Sequence, residues 1–329
     1  MKIILNGIME KLKRTIFQLR LEEFLALLFF IPSLLITIKA NHYFFSAGMH
    51  IPRRYYGGLI RLGVTLGLMV AFYYFVKYKP WWRYLWWLRD VMPFLFCIAI
   101  YTNLHDTIGF VNPHDVHATL VKIDRFLFGV EPVLWAQKFY HPWLTDYFSV
   151  SYMNYFLLAT VVVLYLLITN RRKEMRVVLV GTILTFYFGY VLYVIFPAAP
   201  PRITLANQFT RDFGGGMITH LQNRLININP SSSRAAFPSL HCAVTLISLM
   251  YAFKYSKTLF WILLLPGISL VLATIYLRHH YVIDILAGFA LAIFTYFVAP
   301  HLDAWWQKQR LRFATEESGK MATEAKHSI

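Results

Sequence analysis

Two short polar motifs stand where apolar runs begin. One is PSLH, residues 238 to 241, and the other is HHYVID, which contains His280 and Asp284. His280 and Asp284 are four residues apart, so they share one face of a helix. A carboxylate in that position can accept a hydrogen bond from one imidazole nitrogen and leave the other free to attack an electrophile. This spacing predicts a nucleophilic His280 oriented by Asp284.

The PSLH motif has the features of a helix start that faces an anion. Pro238 suits the first turn of a helix, and His241 follows within that turn. The unpaired amides of a helix start favour a negative charge. Ser239 lies among these amides, so we predict that it contacts a bound anion.

A third cluster, PPR, follows the apolar run that ends at Pro197. Proline stops a helix, so the chain is expected to hold Arg202 close to the membrane surface. A guanidinium keeps its charge and suits bidentate contact with phosphate. Taken alone, each cluster also has a structural explanation: headgroup contact for Arg202, a helix start for PSLH, and a polar contact between helices for His280 and Asp284.

The composition indicates an integral membrane protein. Of 329 residues, 58% are hydrophobic and 15% are charged, more apolar than soluble domains are. The net charge of +16 comes from short basic clusters between apolar runs, which favours contact with anionic headgroups over nucleic acid. Eight runs approach the roughly 20 residues of a membrane span: 24–41, 58–77, 88–104, 147–169, 175–196, 237–254, 258–278 and 281–299.

The basic residues also predict the orientation of these spans. Twenty of the 32 Lys and Arg fall on one side of an eight-span arrangement, and an excess of Lys and Arg marks the cytoplasmic side. Both termini are therefore expected in the cytoplasm. The connections 105–146 and 197–236 and the turn 278–281 are expected together on the outer or lumenal side of a cell membrane, with all three polar clusters.

The predicted fold is an all-α polytopic bundle of about eight spans, six of them forming a core. Residues 1–22 form a cytoplasmic segment, 23–305 the membrane domain, and 306–329 a polar tail of disordered composition. The third run is short and has charges at both ends, so it could be partly re-entrant. Apolar residues at helical spacing in 115–129 predict a short amphipathic helix at the outer surface.

In this order, PPR, PSLH and HHYVID resemble the motifs of the phosphatidic acid phosphatase type 2 superfamily. The segments IDRFLFGVEP and HPWLTDYFSVSYMNYF are similar to its inositol phosphorylceramide synthase branch, so the resemblance covers roughly residues 90 to 300. It implies a lipid phosphatase or phosphotransferase that needs no metal or other cofactor. His280 would form a phosphohistidine supported by Asp284, His241 would protonate the leaving oxygen and activate the acceptor, and Arg202 would neutralise the phosphate.

Two positions depart from the superfamily pattern. Ile195 stands where a lysine is usual, and Thr274 stands where an arginine usually precedes the nucleophile by six residues. Arg278, two residues before His280, is the predicted substitute in phosphate binding. The expected substrate is a phospholipid or lipid phosphate, with an inositol-containing or ceramide-type lipid as a possible partner in transfer. The motifs leave hydrolysis and transfer open.

Two other functions fit parts of the sequence. A metal-dependent membrane hydrolase would use the outer-loop residues His105, Asp106, His114, Asp115 and His117, whose side chains can bind divalent ions. Activity retained in strong chelator would exclude it. A non-enzymatic lipid transporter would need polar groups near the membrane midplane and matched halves, whereas these polar clusters lie at one surface and no repeat is evident.

Overall fold

A computed structural model describes residues 2–79, 84, 86–211, 214–228 and 234–327 of the chain. These ranges contain no β-strand and are almost wholly helical. The prediction of an all-α membrane bundle is confirmed. The α-helices in these ranges are α1 (Lys2–Gln18), α2 (Leu21–Ser46), α3 (Arg53–Tyr78), α4 (Trp86–Val111), α5 (His117–Phe128), α6 (Pro132–Ala136), α7 (Pro142–Met153), α8 (Tyr155–Ile168), α9 (Arg172–Ile195), α10 (Pro201–Thr204), α11 (Met217–Ile228), α12 (Leu240–Tyr255), α13 (Lys257–Tyr276) and α14 (Val282–His327).

Five helices in the described ranges are long and apolar enough to cross a membrane: α2, α3, α9, α13 and the first part of α14. Helices α7 and α8 meet at a bend of 46° and together make a sixth. Each predicted span overlaps a helix, and the predicted span 147–169 overlaps two, α7 and α8. However, α12 has only 16 residues, about 24 Å at about 1.5 Å per residue, which is shorter than the roughly 30 Å hydrocarbon layer. Helix α4 runs through 26 residues without a re-entrant break.

Helix α9 lies at the centre of the bundle. It packs against α4, α8, α12 and α14, and most of its side chains are buried. A helix that is apolar around its whole circumference is expected in such a position. Glycines allow two close approaches at the site end of the bundle. A Cβ at Gly189 would collide with Leu240 of α12, and one at Gly288 would collide with the Ser239 carbonyl.

The connections predicted for the outer side, 105–146 and 197–236, fold over the ends of α12 and α14. Helix α5 lies there as predicted, with Leu120 buried and Phe126 88% exposed. Helices α10 and α11 were not predicted. The chain after α9 pairs with the segment before α12 through one parallel bridge, Ala198 to Ala235. This bridge fixes the backbone next to PSLH.

At the opposite end, a network of ion pairs joins α2, α4, α9 and α14. Its carboxylates are Glu22, Glu23 and Asp90, all buried, with Asp303 of α14 beside them. Four arginines pair with them: Arg20 and Arg172 with Asp90, Arg89 with Glu23, and Arg176 with both Glu22 and Asp303. The charges thus satisfy one another where the helices converge.

Helix α14 extends to His327, well beyond the predicted end of the last span. Its extension packs on the N-terminal helix: Phe17 lies 4.8 Å from Trp306 and 5.3 Å from Phe313 between ring centroids. The tail sequence was predicted from composition to be disordered. Its backbone is helical to His327, in keeping with its Ala, Glu and Lys residues, which are good helix formers.

Candidate functional site

The turn between α13 and α14 presents the HHYVID motif. Helix α13 ends at Tyr276, and Arg278 adopts the left-handed conformation with φ of 63°. The backbone amides of His279 and His280 then both donate to the Thr274 carbonyl, at 2.9 and 3.1 Å. The turn therefore holds both imidazoles at the mouth of the bundle.

Two acceptors hold the His280 ring. Its Nδ1 lies 2.9 Å from the Ala236 carbonyl oxygen and 3.3 Å from Oδ2 of Asp284. A carbonyl oxygen can only accept, so Nδ1 carries the hydrogen and Nε2 of the neutral ring keeps its lone pair. The expectation that Asp284 alone orients the ring is incomplete. The shorter hydrogen bond goes to a backbone group that no side-chain motif reveals.

Asp284 serves the backbone as well as His280. The side chain is completely buried, and its Oδ2 also accepts a hydrogen bond of 2.9 Å from the Tyr281 amide. Its Oδ1 has no hydrogen-bond partner among the described residues. The carboxylate is thus fixed at the first turn of α14, one turn from His280.

His241 shares a compartment with His280, since the two ring centroids are 5.8 Å apart. The His241 ring stacks on Tyr152 at 4.4 Å and contacts Tyr155 at 4.3 Å. These tyrosines flank the bend between α7 and α8. The two imidazoles named by sequence motifs 39 residues apart therefore lie beside each other.

Ser239 is fully buried and forms the N-cap of α12. Its hydroxyl oxygen accepts a hydrogen bond of 3.4 Å from the Cys242 amide, and its own amide donates to the Asp284 carbonyl at 2.9 Å. The geometry gives Ser239 a capping role that joins the two motifs. Phosphate contact by Ser239 stays a prediction.

Arg202 and Arg278 are linked through the backbone but make different side-chain contacts. The Arg202 amide donates to the Arg278 carbonyl at 2.9 Å, and its guanidinium lies 3.3 Å from Nδ1 of His279. The Arg278 guanidinium donates to the Tyr140 hydroxyl and the Arg211 carbonyl and covers the Phe209 ring at 3.7 Å. Arg278 therefore ties outer segments together, and phosphate contact by it stays a prediction.

The sequence reasoning missed Tyr152, Tyr155 and His279 as site residues. The tyrosines lie in HPWLTDYFSVSYMNYF, where alternating aromatic residues are indistinguishable from core packing. His279 was set aside because only His280 has the spacing to Asp284. Burial, together with the neighbouring Arg202 charge, holds the pKa of His279 well below its usual value, so its ring is neutral.

Asp124 of α5 was missed as well. Its two carboxylate oxygens accept hydrogen bonds from the Val282 and Ile283 amides, at 2.7 and 2.9 Å. It thus caps α14 from another helix and is itself completely buried. Charge-assisted capping of this kind stabilises a helix start, here two residues beyond His280.

Glu131 lies buried close to Asp124, and both of its oxygens lack hydrogen-bond partners among the described residues. Burial and the Asp124 charge raise the pKa of Glu131 to about 7. Its protonated form contributes stability that is complete below the ordinary pKa and is lost as the pH rises through about 7.

We therefore expect Glu131→Gln to raise Tm at about pH 8 and to leave it unchanged near pH 4. Thermal unfolding of parent and variant at both pH values tests this. A difference in Tm between variant and parent that is the same at pH 8 and at pH 4 would contradict it.

The outer-loop groups considered for a metal do not form a cluster in the described part of the chain. Asp115 accepts a hydrogen bond of 2.7 Å from Arg234, and Nδ1 of His117 lies 3.9 Å from Oδ2 of Asp115. The side chains of His105 and Asp106 lie outside the described residues. Within the described residues, no three His, Cys, Asp or Glu side chains are arranged to hold a metal ion.

Two curated proteins are similar to this chain. A PA-phosphatase related-family protein of Dictyostelium discoideum is 23% identical over 46% of this chain and 31% of its own length. A phosphoinositol dihydroceramide synthase of Bacteroides thetaiotaomicron is 30% identical over 56% of this chain and 66% of its own length. The chain therefore spans less than two thirds of either relative, and no solved structure matches it.

The model of the PAP2 superfamily matches residues 118–298, more than half of the chain. The matched segment includes Arg202, His241, His280 and Asp284 and the helices that carry them. It also contains three of the helices or helix pairs suited to a membrane span, the α7–α8 pair, α9 and α13, and the first part of a fourth, α14. The chain belongs to the PAP2 superfamily and is an integral membrane protein.

Proposed function

We propose that the protein is a membrane lipid phosphatase or phosphotransferase that works through a phosphohistidine at His280. One observation carries the proposal: the Ala236 carbonyl fixes the hydrogen of His280 on Nδ1, which leaves the Nε2 lone pair for attack, and His241 lies in the same compartment. A neutral imidazole with a defined free nitrogen is a competent nucleophile.

The reaction proceeds in two steps. In the first, Nε2 of His280 attacks phosphorus, an N–P bond forms, and the P–O bond to the lipid alcohol breaks. His241 enters this step as the imidazolium, gives the leaving oxygen a proton and becomes neutral. In the second, His241 takes a proton from the acceptor alcohol or water, whose oxygen attacks phosphorus and breaks the N–P bond. Both proton transfers are general acid–base catalysis, and the second step restores the free enzyme.

Asp284 and Arg202 stabilise the charges of these steps. The Asp284 carboxylate faces the ring that becomes positive when Nε2 bonds to phosphorus. Arg202 neutralises oxygens of the phosphate, which is where phosphoryl transfer gains most from fixed charge. Both residues are held by backbone contacts, so their side chains need to move little during the two steps.

The Asp284→Asn variant tests which acceptor sets the tautomer. The Ala236 carbonyl remains in this variant and keeps the hydrogen on Nδ1, so only the charge support is lost. We expect phosphoenzyme formation to slow by about 10- to 100-fold, or roughly 1.4 to 2.7 kcal/mol of barrier. Rapid-quench measurement of labelled protein checks this. A loss as complete as in His280→Ala would mean that the carboxylate, not Ala236, controls the tautomer.

For the substrate, we propose transfer of an inositol phosphate group from a phospholipid to a ceramide-type acceptor. The support is the similarity to the Bacteroides thetaiotaomicron protein named phosphoinositol dihydroceramide synthase and the sequence resemblance to that branch. Hydrolysis is the second candidate, favoured by the similarity to the PA-phosphatase related protein. Both reactions share the first step and differ in the attacking oxygen.

Product analysis separates the two reactions. Purified protein is incubated with inositol-labelled phosphatidylinositol, with and without dihydroceramide, and the lipids and water-soluble products are identified by mass, with His280→Ala as control. Transfer predicts a labelled ceramide lipid that appears only with the acceptor. Release of free inositol phosphate regardless of acceptor would establish hydrolysis. The absence of any product, both from phosphatidylinositol and in a parallel incubation with phosphatidate, would overturn the proposed function.

For orientation, we propose that the site faces the outer or lumenal side of a cell membrane and that both termini are cytoplasmic. The excess of basic residues on the terminal side supports this. Arg20, Arg89, Arg172 and Arg176 lie in the ion-pair network at the end that carries the N-terminal helix. The site would then meet substrate headgroups in the outer leaflet.

A further inference from the structure

His279 and His280 are adjacent residues held by opposite kinds of partner. Nδ1 of His280 faces a carbonyl, which only accepts hydrogen bonds. Nδ1 of His279 faces the Arg202 guanidinium at 3.3 Å, and a guanidinium only donates them. Nδ1 of His279 must therefore accept, and the hydrogen of its neutral ring is on Nε2. The two neighbouring rings are fixed as opposite tautomers.

The position of the His279 ring is fixed as firmly as its tautomer. The residue is 8% exposed, and its ring stacks on Tyr152 at 4.3 Å between centroids with planes 29° apart. Tyr152 also stacks on His241 at 4.4 Å. The Thr274 carbonyl holds the His279 amide. One tyrosine thus positions His279 and His241 together.

The Nε2–H of His279 makes no hydrogen bond with a described residue, although Arg202 and Tyr152 fix the rest of the ring. Arg202 is the partner of its Nδ1, so Nε2–H is left to donate to a ligand that carries a hydrogen-bond acceptor. A substrate phosphate bound to Arg202 and attacked by His280 would bring its oxygens to this part of the turn.

We propose that His279 is a further catalytic residue, whose Nε2–H donates a hydrogen bond to a non-bridging phosphate oxygen of the substrate. The inference rests on the proposed function, since it requires a phosphate bound beside His280. His280 attacks phosphorus with its free Nε2, while His279 holds a phosphate oxygen with its protonated Nε2. Arg202 has two tasks: it contacts the phosphate and sets the tautomer of His279.

The matched variants His279→Gln and His279→Asn test this donor. The Gln amide can reach the position of Nε2, whereas the shorter Asn amide reaches only that of Nδ1. Removing one oxyanion donor costs about 10²- to 10³-fold. We expect His279→Asn and His279→Ala to lose about that factor in kcat/KM for phosphatidylinositol, and His279→Gln to stay within about tenfold of the parent.

Two controls separate this inference from folding and from the proposed function. Rates are normalised to the fraction of molecules that form the phosphohistidine, which removes the effect of unfolded protein. If the parent forms no phosphohistidine, the proposed function fails. If the parent forms the phosphohistidine and either His279→Asn or His279→Ala keeps the parent kcat/KM, His279 does not donate to the phosphate. The same conclusion follows if His279→Gln loses as much kcat/KM as His279→Asn and His279→Ala. Since the donor is neutral, the pH profile of His279→Gln should match that of the parent.

Discussion

Replacing His280 with alanine is expected to abolish both the covalent intermediate and product formation. The variant lacks Nε2 of His280, whose lone pair is free because Nδ1 faces the Ala236 carbonyl and Asp284. Other site residues remain, so substrate binding should persist. Incubation with phosphatidylinositol labelled in the inositol phosphate group, followed by rapid quenching, measures the label bound to protein.

The matched control is His301→Ala on α14, the helix that follows His280. His301 is exposed, and its Nδ1 lies 2.8 Å from the Phe297 carbonyl, one turn earlier. We expect this variant to retain full labelling and turnover. Label on His280→Ala protein, or turnover comparable to the parent, would show that the covalent step uses another residue.

Replacing His241 with alanine is expected to slow formation and breakdown of the intermediate by about 10²- to 10⁴-fold, the usual value of a positioned acid or base. The leaving group provides the sharper test. A 4-nitrophenyl phosphodiester of inositol releases an oxygen that needs no proton, so His241→Ala should form the intermediate from it at nearly the parent rate. His280→Ala should not.

Stopped-flow release of 4-nitrophenol checks this prediction. His241→Ala should give one rapid burst equal to the amount of protein, followed by slow turnover, because breakdown still lacks a base. If the variant is equally slow with the lipid and with the 4-nitrophenyl substrate, His241 is not the general acid. Its contact with Tyr152 and Tyr155 would then be its main contribution.

The fold was predictable where hydrophobic runs are long. Each predicted span overlaps a helix, although 147–169 is divided between α7 and α8, and the amphipathic helix of 115–129 is α5. The helices of the connection after α9 were not predicted from the sequence. Helix α10 has only four residues, whereas the apolar residues of α11 recur at helical spacing and this signal was overlooked. The end of α14 was also placed too early, since a polar helical extension resembles a disordered tail in composition.

The candidate site was predictable where side chains follow a helical spacing or mark the start of a helix. His280 and Asp284 share one turn, and Ser239 caps the helix that carries His241. The sequence could not show that the Ala236 carbonyl orients His280 or that Asp124 caps α14, because both contacts join segments far apart in the chain. Every residue has a backbone carbonyl, so the residue type does not reveal which carbonyl accepts a hydrogen bond from His280.

The most direct measurement is to identify the nitrogen that carries the covalent intermediate. Protein quenched during turnover is digested, and the modified peptide is sequenced by mass spectrometry, while ³¹P NMR of the labelled protein distinguishes the two ring nitrogens. We predict modification of His280 at Nε2, since the Ala236 carbonyl occupies Nδ1. Modification at Nδ1 of His280, at His241 or at His279, or turnover without any covalent intermediate, would contradict the mechanism.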